Sequence, residues 1–194
     1  KSGALKRLTQ PGQSIQAHSR AGERIVVLRS TPQQPPELLA LERGQLRALT
    51  AHNAALLGEL DLAPVEAFDT HSPDGTRVGG FLVRPLGYQP GQRVPTLLRI
   101  HGGPVAQFTH DFRFEWQLFA AHGYAVVAGN PRGSSGRGEA YSTAIYANWG
   151  GPDVADVLAL VDHAVAIGVA DPERLGVGGW SYGGMLTNYV IASD

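Results

Sequence analysis

The chain has 194 residues, 43% of them hydrophobic and 17% charged, with a formal net charge of -1. This is a globular composition with apolar material for a core, and near-neutral charge gives no nucleic-acid footprint. Cysteine is absent, which removes disulfides and thiol catalysis and fits a reducing, cytoplasmic compartment.

No run of about 18 apolar residues is present, so no membrane span is expected. The seven His are scattered without a His-Glu-x-x-His pair, so no metal site and no cofactor are expected. Residue 1 is Lys, which predicts a sequence cut at its N-terminus and removes any weight from the lack of a signal peptide.

Residues 1–62 differ from the rest. Gly3-Ala4-Leu5-Lys6-Arg7-Leu8-Thr9 recurs as Gly44-Gln45-Leu46-Arg47-Ala48-Leu49-Thr50, an offset of 44 − 3 = 41 residues. A period of about 40–45 residues marks a four-stranded propeller blade. Ser14–Ala17, Arg24–Ser30 and Glu37–Leu41 read as short strands between the copies. The expectation is the C-terminal end of a β-propeller over 1–62, with 51–62 crossing to a second domain. One blade cannot bury its own faces, so it needs neighbours from outside these residues.

Residues 63–194 read as the N-terminal portion of a mostly parallel α/β domain. Val65–Phe68 and Arg77–Val83 form an edge hairpin around Ser72-Pro73-Asp74-Gly75. Pro95–Ile100 is a strand, and Phe114, Leu118 and Phe119 share a predicted helix face closed by Gly123. Tyr124–Ala128 is the next strand. Pro152–Ile167 is the strongest helix, with Val154, Val157, Leu158, Val161 and Val165 on one face and Asp153 and Asp156 in the first turn, where the helix dipole favours acids. Leu175–Val177 is predicted as a short buried strand, and Met185, Leu186, Tyr189, Val190 and Ala192 follow at helical spacing. Strands alternating with helices imply a sheet covered on both faces.

The chemistry concentrates in Gly179-Trp180-Ser181-Tyr182-Gly183. Gly-x-Ser-x-Gly between a strand and a helix is a nucleophile elbow. It would hold Ser181 on a strained turn with its hydroxyl in solvent, flanked by glycines because a Cβ would crowd the turn. The Tyr182 amide at the helix N-terminus can receive an oxyanion. His101-Gly102-Gly103-Pro104 directly follows a strand, the place of the second oxyanion donor. Gly103 is assigned that role, with Gly102 the second choice. His101 is expected to hold its loop by hydrogen bonds rather than act as base.

Asn130-Pro131-Arg132-Gly133-Ser134-Ser135-Gly136-Arg137-Gly138 matches neither dinucleotide nor Walker spacing. It reads as a shaped loop beside the site, with Arg132 in an internal ion pair; substrate carboxylate binding by Arg132 or Arg137 is the lesser option. Trp149 with Gly150-Gly151 leads into the long helix, and a substrate platform at Trp149 is a weaker alternative. A Ser, Asp/Glu, His order is required in this fold, yet only 13 residues follow Ser181, with Asp194 and no His. Asp194 comes too soon for a triad acid. The acid and base are therefore expected beyond residue 194.

Taken together, the propeller end, Ser72-Pro73-Asp74-Gly75-Thr76, His101-Gly102-Gly103-Pro104, Asn130-Pro131-Arg132-Gly133-Ser134 and Gly179-Trp180-Ser181-Tyr182-Gly183-Gly184 resemble the prolyl oligopeptidase family of serine peptidases. The His-Gly-Gly-Pro form is most similar to its acylaminoacyl-peptidase branch. The resemblance implies a propeller shielding an α/β-hydrolase site, with Ser181 as nucleophile and the Gly103 and Tyr182 amides as oxyanion hole. It implies short peptide substrates, N-acylated ones as a candidate class, and neither nucleic-acid nor membrane partners. A carboxylesterase and a catalytically inert fragment are the alternatives. The remainder of the parent chain, or a partner chain, is expected to complete the fold, and a homo-oligomer stays open.

Overall fold

The computed structural model describes residues 3–193; Asp194 lies outside the described residues. The chain divides into two compact units, one holding residues through Asp61 together with Thr109–Arg113, the other Leu62–Phe108 and Phe114 onward.

The first unit is a four-stranded antiparallel meander. Its strands β1 (Ser14–Ala21), β2 (Arg24–Thr31), β3 (Gln34–Glu42) and β4 (Gln45–Ala48) pair in chain order. The β3–β4 turn is set by Arg43 and Gly44, both at positive φ (51° and 83°), the geometry whose twist matches that of two-residue hairpins. Val27, Leu39 and Ala40 are buried. Glu37 is buried too, and is satisfied by the Thr50 hydroxyl, the Asn53 amide at 3.3 Å and His52 Nδ1 at 3.2 Å. The Thr50 hydrogen bond is the main reason its carboxyl sits below the usual range. A four-residue helix, α1 (Ala54–Leu57), follows. Of the two echoing segments, only the second carries a strand, β4; residues 3–9 have none.

The second unit is layered. Its strands β5 (Val65–His71), β6 (Arg77–Val83), β7 (Val94–Ile100), β8 (Ala125–Asn130) and β9 (Ala170–Gly179) form one sheet in the order β5-β6-β8-β7-β9. β6 runs antiparallel to both its neighbours, β5 and β8, whereas β8, β7 and β9 are parallel. Period-two alternation sends neighbouring residues to opposite faces. Leu82 and Val127 join one core cluster, with α4 (Pro152–Ala166) and α5 (Tyr182–Ser193) above it; Phe81, Val83, Val126 and Ala128 join a second, with α2 (Phe114–Ala121). A short α3 (Glu139–Thr143) lies between β8 and α4.

Two expectations are corrected. The buried face of α2 is Trp116, Gln117 and Ala120, not Phe114 and Leu118, which are 66% and 43% exposed. This helix is apolar nearly all round, so side-chain size pointed to the wrong stripe. Gln117 earns its burial by bonding both the amide (2.8 Å) and the carbonyl (3.0 Å) of Ala63. Leu175 was expected inside and is 45% exposed, because β9 is the sheet's edge among the described residues.

Candidate active site

β7 and β9 are parallel neighbours, with Ile100 opposite Gly179. Their C-terminal ends therefore emerge side by side, and the loops leaving them share one spot. This is where open α/β sheets present their chemistry. The loop after β7 is His101–Pro104, and the loop after β9 is Trp180 and Ser181, leading directly into α5.

Ser181 has φ +58°, a left-handed conformation that non-glycine residues adopt at a cost of about 1–3 kcal/mol and that clusters at functional sites. Its side chain is exposed. The turn is tight because glycine lines it. A Cβ on Gly179 would stand 2.6 Å from the Gly183 carbonyl carbon and from the Ile100 oxygen, and one on Gly183 would meet the Ile100 and His101 carbonyl oxygens. The Gly183 amide donates to the Trp180 carbonyl at 2.9 Å and the Met185 amide to the Ser181 carbonyl at 3.0 Å. Tyr182 is the first residue of α5, so its N–H has no acceptor within the helix.

The glycine loop lies against the serine. A Cβ on Gly102 would be 3.5 Å from Ser181 Cβ and 3.3 Å from the Trp180 oxygen. Gly103 has φ +128°, and a Cβ there would stand 2.8 Å from the Val105 nitrogen. Thus Gly102, Gly103, Ser181 and Tyr182 are brought together. His101 is buried, its Nδ1 2.7 Å from the Gly102 oxygen and its Nε2 2.9 Å from Ser134 Oγ, with its ring edge-to-face on Phe108. It anchors both loops.

Around this spot stands a charged scaffold. The Arg132 guanidinium grips Asp156 through Nε (3.0 Å) and Nη2 (2.7 Å), its backbone N–H donates to the same carboxylate at 2.8 Å, and Nη1 pairs with Asp74. The Asp156 bonds push Arg132 further above its already high range. Asp74 is held at about 2, chiefly by hydrogen bonds from Thr76 and then by Arg132. Tyr141, which donates to the Asn130 carbonyl at 2.7 Å, is pushed up to about 12 by burial.

Asp153 is the partner that sequence reasoning missed. Both Asp153 and Asp156 are fully buried, where the dipole argument placed them only at a helix start. Asp153 Oδ2 accepts the Tyr182 hydroxyl at 2.6 Å. Burial, then that carboxylate, raises the Tyr182 hydroxyl well above the ordinary tyrosine range. The available signal was acids at i and i+3 running into the same stripe as Val157 and Leu160, since an acid on a core face needs a buried partner. Trp149 meets the Tyr182 ring edge-to-face at 5.5 Å. Arg137 lies over the Tyr141 ring and 3.9 Å from Asp69. Among the described residues no cluster of three or more His, Asp or Glu could hold a metal, and no helix is long and apolar enough to cross a membrane.

Residues 110–194 match the sequence profile of the prolyl oligopeptidase family. The chain is 40% identical over 162 residues to the uncharacterized peptidase YuxL of Bacillus subtilis, covering 82% of this chain and 25% of that protein. It is 30% identical over 189 residues to dipeptidyl-peptidase 5 of Porphyromonas gingivalis, covering 95% and 28%. Its fold superposes on a solved acylaminoacyl peptidase in complex with Z-Gly-Gly-Phe-chloromethyl ketone with a TM-score of 0.90 and 30% identity, covering 100% of this chain and 31% of that one. Over residues 110–194 the chain resembles the prolyl oligopeptidase family. It spans about a quarter of the length of these curated relatives and about a third of the solved structure. That resemblance fits the loops described above, each leaving the carboxyl end of a parallel strand.

Proposed function

We propose that this chain is the part of a serine peptidase that carries its nucleophile, and that the parent protein cuts short peptides near their N-termini. The observation that carries the reading is Ser181: exposed, at positive φ between a strand and a helix, with a glycine loop against it. Ser181 Oγ attacks the scissile carbonyl carbon. The carbonyl oxygen becomes an oxyanion received by the Tyr182 and Gly103 amides, the peptide nitrogen leaves as the amine, and water then releases the acyl group from the serine. The proton passes through a His oriented by an Asp, both supplied from outside these residues. The relatives' greater length supports this. No cofactor takes part.

On the same reading, residues 1–62 form the C-terminal end of a β-propeller, its four-stranded meander being one blade, and 63–194 form the N-terminal portion of an α/β-hydrolase domain. Peptide occupancy is supported by the peptide-like chloromethyl ketone in the similar structure. Relatives named acylaminoacyl peptidase and dipeptidyl-peptidase 5 favour two substrate types, an N-acylated aminoacyl group and a free dipeptide.

The test is a panel on the full-length parent protein: an N-acetyl-aminoacyl anilide, a dipeptidyl anilide and a nitrophenyl ester. Cleavage of an anilide, abolished in Ser181→Ala, is expected. Cleavage of the ester alone would make the protein a carboxylesterase instead.

A further inference from the structure

Both amides assigned to the oxyanion hole trace back to the start of one helix. The first two turns of α4 bury two carboxylates completely, Asp153 and Asp156. Asp153 Oδ2 accepts the Tyr182 hydroxyl at 2.6 Å, and its Oδ1 takes only the neighbouring Val154 amide at 3.1 Å. Tyr182 is itself 4% exposed, and its ring meets Trp149 edge-to-face. That ring hangs from the same Cα as the amide that follows Ser181. Fixing both ends of the side chain therefore fixes the rotation of this N–H.

Asp156, one turn on, grips Arg132. Two residues later, Ser134 Oγ meets His101 Nε2 at 2.9 Å, and His101 carries the Gly102–Gly103 loop.

We propose that Asp153 is a positioning residue for the oxyanion hole, acting through the Tyr182 hydroxyl to aim the Tyr182 amide, with Asp156 and Arg132 setting the opposite side from the next turn of the same helix. The inference rests on the peptidase reading of Ser181. A misplaced donor costs transition-state binding and leaves substrate binding nearly intact.

The experiment uses the full-length parent and three variants: Asp153→Asn, Asp153→Ala, and the double variant Asp153→Ala with Tyr182→Phe. The double variant removes the hydroxyl donor and its carboxylate acceptor together; the Val154 amide, one of the helix-start N–H groups, is the one group that loses a partner, so the fold is retained. For the double variant, kcat on the anilide falls about tenfold or more, KM stays within about twofold, and affinity for a peptidyl trifluoromethyl ketone falls in step with kcat. Asp153→Asn, which keeps an acceptor oxygen, recovers most of the kcat lost in Asp153→Ala. A double variant that folds and retains wild-type kcat and ketone affinity overturns the proposal. Loss of thermal stability in the single variants, with kcat per folded molecule unchanged, overturns it as well. A parent protein that neither hydrolyses the anilide nor labels at Ser181 defeats the peptidase reading instead, and the positioning role falls with it.

Discussion

Glu37 in the first unit and the Asp153–Asp156 pair in the second are all buried acids, yet they reach very different distances along the chain. Glu37 bonds Thr50, His52 and Asn53, at most 16 residues away. Asp156 holds Arg132 across 24 residues, Arg132 holds Asp74 across 58, and Asp153 holds Tyr182 across 29. The difference follows from topology. In a meander, spatial neighbours are sequence neighbours, so a buried acid closes its own end of the sheet. In a parallel α/β layer each helix starts at the carboxyl edge, where the strands end, so the start of one helix can grip loops from several strands.

Removing these acids should carry unequal costs. Asp156→Ala leaves the largely buried Arg132 charge without its main partner, and should destabilise the second unit by about 3–5 kcal/mol. Glu37→Gln should lower the urea midpoint by visibly less, because an amide oxygen still accepts from Thr50 and Asn53. Chemical denaturation of both variants in the full-length protein checks the order, and equal losses would erase the distinction. Next in size, Gly183→Ala drives a methyl group into the main-chain oxygens of Ile100 and His101, with an expected cost of about 1–3 kcal/mol. Amide exchange should show the loss centred on β7, β9 and the start of α5.

The smallest effect is an acid one. Folded Asp74 is held at about 2 against its ordinary 3.8, and Glu37 is likewise lowered. A lowered folded value means stability that is present above the unfolded value and is lost as pH falls towards the folded one. Stability should therefore be flat above about pH 5 and decline from about pH 4 towards 2. Asp74→Asn should flatten part of that decline in a pH series of melting temperatures.

Much of this was readable in the residues. Gly-x-Ser-x-Gly and the glycines after β7 announced themselves because only glycine tolerates such close main-chain approach, and a mostly apolar strand, β7, leads into the second of them. The ion pair of Arg132 was foreseen from its place in a structured loop. What the sequence hid were choices made by packing. α2 offers apolar groups on nearly every side, and only the sheet selects Trp116 and Ala120 over Phe114. Asp153 and Asp156 read as ordinary helix-start acids, because their partners Tyr182 and Arg132 reach them only after three strands have paired.

Ser181 is proposed above as a nucleophile served by two main-chain donors. Labelling the full-length protein with a fluorophosphonate, followed by peptide mapping, tests it most directly. Stoichiometric modification of Ser181, absent in Ser181→Ala and slowed in the Asp153→Ala/Tyr182→Phe variant, is the predicted result. A folded protein that stays unmodified, or that labels at another serine, would contradict it.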